Sequence, residues 1–406
     1  MGARLKALAS GDWLNRDRVL PTAWISGIGS LVVIIWLFAM AQGTLDSLGR
    51  PLGTDFSSVW TAGRMALDGH AANAWTWHDH FEVQRALHHK ANVDLFGWHY
   101  PPPFLLVAAA LATLPYLPAL IVWQLATLAP FAWMMTRLVP PADAPRSETL
   151  LLVLGAPVTL ICLMHGHNGF LTALLLGGGL MLLDRRPFVA GLLLGCLIYK
   201  PQFALILPPL LLASRNWRAI GGGIVSAGVL VALTLAFWGW PVWQAFLDSL
   251  PLTRDVVLER GSTGWHKIMS PFSAIRMWGG GIAFAYAVQL AATLAAIAAV
   301  VWIAWKRHAA ELRNALTCAA VLIATPYVLD YDFVVLLPTL AFLWIDGRRH
   351  GFLPWDKTLM ALVWIAPLFA RTIAEYAYVP LGLATAVMVA VIAVRRAILR
   401  ASPSRH

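Results

Sequence analysis

The chain has 406 residues, 59% of them hydrophobic and only 12% charged, with a formal net charge of +10 and a mean hydropathy of +0.68. A soluble globular domain carries roughly 25% charged residues, so this composition excludes one. The apolar runs are about 15–25 residues long and continuous rather than alternating, which points to membrane-crossing helices and excludes a transmembrane β-barrel.

The first apolar run, Thr22 to Met40, is as long as a full span and lacks a small-residue cleavage pattern, so it is expected to be a retained signal-anchor. Further spans are expected at about 119–138, 149–165, 169–183, 187–199, 201–213, 219–238, 281–304, 312–328, 332–346, 355–372 and 378–396. Arg4, Lys6, Arg16 and Arg18 place the N-terminus in the cytoplasm, and Arg185-Arg186, Arg215 with Arg218, Lys306-Arg307, Arg348-Arg349 and Arg395-Arg396 mark cytoplasmic turns. That parity leaves one net crossing for 102–138, so 103–114, cut off by Pro115 and Pro118, is expected as a juxtamembrane or re-entrant helix. The sum is expected to be an all-α polytopic membrane protein of about twelve spans, one domain over 1–406, with no soluble domain expected at either end. Twenty Trp suit interfacial belts, and Cys162, Cys196 and Cys318 all lie in apolar runs, so no disulfide framework is expected. The basic residues are scattered through short loops, which suits topology and contact with membrane lipids rather than nucleic acid.

Two outward segments are long, 43–98 and 239–280, and the chemistry concentrates there and in the short outer turns. Asp55, in Gly53-Thr54-Asp55-Phe56, is either an N-cap for a helix beginning near Phe56 or a general base accepting a proton from an alcohol. His99-Tyr100-Pro101-Pro102 closes the same segment; the prolines are punctuation, but the His and Tyr before them are not explained by it. His165-Gly166-His167-Asn168 joins two apolar runs and is either an interfacial turn or a donor cluster for an anionic headgroup. No Cys or carboxylate lies near it in sequence, so no metal is expected. Lys200, in Tyr199-Lys200-Pro201-Gln202, sits between apolar runs with almost no polar spacer; it is a snorkelling lysine or a functional charge. Arg254, Arg260, His266, Lys267 and Arg276 form a run of cations on the side that the positive-inside trend leaves poor in them, which favours a bound anion such as a lipid phosphate. Asp330, Tyr331 and Asp332 either cap a helix break or line a sugar, because carboxylates and phenols suit hydroxyl recognition.

One external carboxylate with many outer-face cations suits transfer of a group from a lipid-linked phosphate to an acceptor hydroxyl. Two other readings stay open: a lipid-linked sugar flippase or transporter, and an oligosaccharide ligase using a lipid-phosphate donor. Asp55-Phe56 with Trp60 and Ala62-Gly63-Arg64, then Tyr100-Pro101-Pro102, Lys200-Pro201, Trp265-His266-Lys267 with Ser270, and Pro326 with Tyr331-Asp332 resemble, in order and spacing, glycosyltransferase family 87. This is the DUF2029 family of GT-C membrane enzymes, which includes the mycobacterial polyprenyl-phosphate-mannose-dependent α-1,2-mannosyltransferase. The resemblance implies a GT-C fold of about a dozen helices and a metal-independent, inverting transfer from a polyprenyl-phosphate sugar, with no other cofactor, at the outer face of the inner membrane. It gives Asp55 the general-base role. Lys200, His165 and His167 are then expected at the donor phosphate, with Lys267, His266, Arg276 and Arg64 as further phosphate or lipid contacts. His99, Tyr100, Asn168, Gln202, Asp330, Tyr331 and Asp332 are expected at the sugar or acceptor. The partners implied are the lipid-linked donor and a glycolipid or glycan acceptor, with the protein working as a monomer. The chain departs from the family pattern at His165-Gly166-His167 and at Asp330-Tyr331-Asp332, which bears on the sugar and acceptor more than on the reaction.

Overall fold

The structure is a computed structural model that describes residues 2–401, and among these the regular elements are helices with no strand. Five helices are long and apolar enough to cross a membrane: Arg16–Ala39, Tyr116–Leu138, Trp217–Trp238, Ile282–Trp305 and Leu381–Arg400. Two further pairs reach span length only together and are bent, Arg146–Leu154 with Pro157–His165 by 54° and Asp356–Ile365 with Pro367–Ala377 by 76°. Helical backbone stands at every one of the twelve expected spans, but length and composition alone support five crossings, or seven if each bent pair counts as one. The remaining pieces are short. Gly169–Leu182 has 14 residues, about 21 Å of helix against a hydrocarbon core of about 30 Å. Proline accounts for much of the fragmentation, since it cannot donate to the preceding turn and instead starts new helices at Pro157, Pro187, Pro201 and Pro367. The expected 201–213 span is thus divided into Pro201–Ala204 and Leu207–Ala213, and the expected 332–346 span opens as a tight 3-10 turn, Asp330–Val335, before Leu336–His350.

The bundle has two chemically distinct ends. At one, Arg16 pairs with Glu148, Trp13 Nε1 donates to Thr358 Oγ1, and Arg396 joins the buried carboxylates Asp346 and Asp356. These are the neighbourhoods that the Lys/Arg pattern assigns to the cytoplasm. The helix Arg16–Ala39 carries the chain about 36 Å away, to the end where the two long segments fold. The segment 43–98 forms Thr54–Leu67, the 3-10 turn Ala71–Trp75 and Trp77–His88; the segment 239–280 forms Trp240–Thr253, a π-helical turn Arg254–Glu259, a 3-10 turn Trp265–Lys267 and Pro271–Met277. The two meet edge to face at Trp75 and Phe246, with ring centroids 6.3 Å apart. Pro103–Ala112, the expected juxtamembrane helix, is a ten-residue, largely buried helix lying on Thr54–Leu67. Gly63 is the crossing point: a Cβ there would stand 2.0 Å from the Ala108 carbonyl oxygen. All three cysteines are free, with Cys162 and Cys318 buried.

Candidate active site

Asp55 is not a helix cap. The N-cap is Gly53, in the left-handed region at φ +65°, and no side chain caps the helix, so Thr54 and Asp55 are its first two residues. A second left-handed glycine, Gly166 at φ +59°, ends the helix Pro157–His165 directly against it. A Cβ on Gly166 would stand 2.7 Å from Phe56 Cβ and 3.3 Å from Gly53 Cα, so only glycine permits this approach. The helix Tyr116–Leu138 holds both turns. Tyr116 donates to the Leu52 carbonyl at 2.6 Å, Trp123 Nε1 to the Gly166 carbonyl at 3.0 Å, and Gln124 Nε2 to the Leu163 carbonyl at 2.7 Å.

This clamp sets His165 against the start of the Asp55 helix. His165 Nδ1 is 2.7 Å from Thr54 Oγ1 and 3.3 Å from Asp55 Oδ2, and its Nε2 is 3.4 Å from Arg371 Nη2. A guanidinium only donates, so Nε2 accepts and the ring proton belongs on Nδ1, facing Thr54 and Asp55. Both side chains remain about a quarter exposed, Asp55 at 27% and His165 at 21%. Arg371 lies beyond the 76° bend on Pro367–Ala377 and pairs with Asp330 at 2.8 Å. Thr54, His165, Asp330 and Arg371 line a cavity of about 260 Å³ together with Asp46 and Arg50, which pair with each other at 2.9 Å. Leu37, Ile161, Met164 and Leu368 supply its apolar lining. That volume approaches the lower end of ordinary ligand pockets, roughly 300 Å³.

Behind this layer lies a buried one. The Tyr331 ring stacks on His167 at 3.5 Å between centroids and meets His165 edge-on at 5.3 Å. Tyr100 Oη is 2.8 Å from His167 Nε2. Lys200 is buried, bonded to Asp332 and, at 3.2 Å, to Asn168 Oδ1, with its ammonium 4.6 Å above the Phe203 ring. The 3-10 turn that carries Tyr331 and Asp332 thereby divides the expected set. Asp55, His165 and Asp330 stand at or beside the cavity, while Tyr100, His167, Asn168, Lys200 and Asp332 form a polar core behind it.

Other expected residues do not line the cavity. Arg64 pairs with Asp68 near the C-terminal end of its helix, nine residues along from Asp55 and so about 13 Å away along the axis. Arg276 donates to the carbonyls of Gly280 and Glu259 and lies 4.6 Å over the Trp265 ring, so it ties the second external segment together. His99 is exposed and contacts Thr253 Oγ1 at 3.1 Å. Gln202 makes no side-chain hydrogen bond among the described residues. The turn carrying His266 and Lys267 lies against the helix of Arg371. Burial lowers the His266 pKa, and the nearby Glu375 carboxylate opposes it. Arg371 and Arg50 were not anticipated from the sequence. Arg371 carried a usable signal: no charged residue precedes it back to Lys357, so it is a lone cation in an apolar stretch.

A family model described as glycosyltransferase family 87 matches residues 98–326, more than half of the chain. The match covers the His165–Asn168 turn and Lys200; Asp55 and Arg371 flank it on either side. No curated protein and no solved structure matches the chain.

Proposed function

The chain belongs to glycosyltransferase family 87, and from that premise we propose that this membrane glycosyltransferase moves a hexose, mannose by the family resemblance, from a polyprenyl-phosphate sugar to an acceptor hydroxyl at the outer face of the inner membrane. The observation that carries the proposal is the Asp55 carboxylate. It stands beside a cavity with apolar and polar linings, one residue from Thr54 and in contact with His165, both of which line that cavity. An apolar wall next to one that carries two guanidinium groups, each fixed by a carboxylate, suits a lipid-linked phosphate better than a free nucleotide sugar.

The proposed step balances as follows. The Asp55 carboxylate accepts the proton of the acceptor hydroxyl as its oxygen attacks the anomeric carbon. The bond from that carbon to the phosphate oxygen breaks, and its electron pair leaves with the oxygen. The products are the glycosylated acceptor, with inverted configuration, and polyprenyl phosphate. His165, with its proton on Nδ1, orients one carboxylate oxygen and leaves the other for the acceptor. The charge that develops on the phosphate is met by side-chain cations, so the scheme needs no metal ion.

The test is direct. Purified protein is incubated with a panel of polyprenyl-phosphate sugars and the release of polyprenyl phosphate is followed, together with sugar transfer. Asp55→Asn is expected to lower transfer by about 10²- to 10⁴-fold, the usual contribution of a positioned base. Wild-type turnover in that variant removes Asp55 from the mechanism.

A further inference from the structure

We propose that Arg371, with Arg50 in the same cavity lining, holds the phosphate of a prenyl-linked ligand in a cavity that also has an apolar lining. The inference rests on the glycosyltransferase reading above and assigns the phosphate seat within it.

Three of the cations expected there from the sequence are engaged elsewhere, while the turn of His266 and Lys267 packs on the helix of Arg371. Lys200 is buried against Asp332 and Asn168, Arg64 pairs with Asp68, and Arg276 is held by two backbone carbonyls. Arg276 Nε is buried without a partner among the described residues, but that guanidinium lies over the Trp265 ring and not in the cavity lining, whereas Arg371 lines the cavity. Arg371 Nη2 reaches Asp330 and His165, but its Nε is also buried with no hydrogen-bond partner among the described residues. A buried guanidinium N–H without an acceptor is costly and uncommon, and an anion in the adjacent cavity supplies the missing acceptor. Arg50 lines the same cavity, with Nε and Nη2 on Asp46 and the rest of its fork uncommitted among the described residues. In both pairs the carboxylate fixes one edge of the guanidinium and so orients the other.

The surroundings select the kind of phosphate. Leu37, Ile161, Met164 and Leu368 share the cavity lining with the two arginines. Leu37 belongs to the helix Arg16–Ala39, which is long and apolar enough to cross a membrane and of which little is buried within the protein. A free phosphate gains nothing from such a wall, whereas a prenyl chain buries against it. Position agrees as well. Arg371 Nη2 is 3.4 Å from His165, and His165 is 3.3 Å from Asp55, so a phosphate on Arg371 is separated from the base by about the width of one side chain. Charge adds a direction: the donor is a phosphodiester monoanion and the departing prenyl phosphate approaches a dianion. Arg371 therefore gains interaction as the bond breaks.

Arg371→Gln alone strands the Asp330 carboxylate, so the double variant Arg371→Gln/Asp330→Asn, which removes both charges at near-constant shape, is measured beside it. Full-length protein in nanodiscs is titrated with a short-chain polyprenyl phosphate, with the corresponding polyprenol, and with inorganic phosphate as competitor. The wild type is expected to prefer the phosphate, and both variants to lose about 10- to 100-fold of that preference, as for lost charge-assisted hydrogen bonds, with polyprenol binding unchanged. Inorganic phosphate is expected not to compete. A preference that survives intact in the double variant overturns the role of Arg371 and leaves the glycosyltransferase reading standing. A wild type with no preference removes both this proposal and the prenyl-phosphate donor. Competition by inorganic phosphate at comparable concentration overturns the prenyl assignment.

Discussion

Asp55 occupies the first helical turn, where unsatisfied backbone N–H groups favour a negative side chain by about 0.3–1 kcal/mol, yet it makes no capping bond. Its removal is therefore expected to cost little stability while costing most of the activity, and this separation is what marks a catalytic carboxylate. Lys200 behaves in the opposite way. Its ammonium and the Asp332 carboxylate are both buried and bonded to each other. Lys200→Met leaves an uncompensated charge in the core and is expected to destabilise by about 3–5 kcal/mol, whereas Lys200→Met/Asp332→Asn recovers most of that loss. Thermal unfolding of the three proteins in detergent checks this; a double variant no more stable than the single one shows that the pair is not the unit. The sequence made both charges visible, because an isolated carboxylate beyond a span and a lysine between apolar runs are each anomalous. It did not reveal the partner of Lys200, which lies 132 residues away. Arg371 was legible by the same rule that singled out Lys200, but its pairing with Asp330 and contact with His165 exist only once the bent pair has folded.

At the scale of elements, the site depends on one helix gripping two turns. Tyr116–Leu138 fastens Leu52, Leu163 and Gly166, and the two left-handed glycines let the turns touch. The identity of that helix as a span, and of Pro103–Ala112 as a short companion, followed from apolar length and from Pro115 and Pro118. Which turns it grips did not follow, since that depends on side-chain reach between distant segments. The outer segment illustrates a second hidden dependence. His88 is buried between Thr44 Oγ1 and Ser57 Oγ, at 2.8 Å from each, and so ties the loop after the first span to the helix of Asp55. Burial lowers its pKa to about 4, below the value of roughly 6.5 for an unfolded histidine. A lowered histidine pKa means that unfolding takes up a proton, so this contribution is present above about pH 6.5 and is lost as pH falls towards 4. His80, buried on the same helix, is lowered to about 3 and acts in the same direction. The melting midpoint of the wild type is expected to fall with pH across that window, and His88→Gln to flatten the fall. An equal pH slope in the variant removes His88 from the linkage.

Across the whole molecule, the two ends separate by function. The end that gathers Arg16, Glu148, Asp346, Asp356 and Arg396 holds ion pairs between distant helices. The other end gathers Asp55, His165, Asp330 and Arg371 at a cavity. The Lys/Arg pattern divides the loops along the same line, because both halves of it are carried by loop composition. It did not yield the number of full-length spans, because proline cuts several expected spans into helices too short for their length to report a crossing. The orientation has a consequence that can be measured. Asp94 is exposed in the first long segment on the cavity side, and Arg348 is exposed at the far end of Leu336–His350. With the three native cysteines replaced, Asp94→Cys is expected to react with a membrane-impermeant maleimide in intact cells, and Arg348→Cys only after lysis. Reaction at 348 but not 94 turns the protein over and puts Asp55 in the cytoplasm. A sugar carried on a prenyl phosphate in the outer leaflet would then be on the wrong side for Asp55, whatever the chemistry of the pocket. Reaction at 94 alone puts base, cavity and donor in the same compartment, as transfer at the outer face demands.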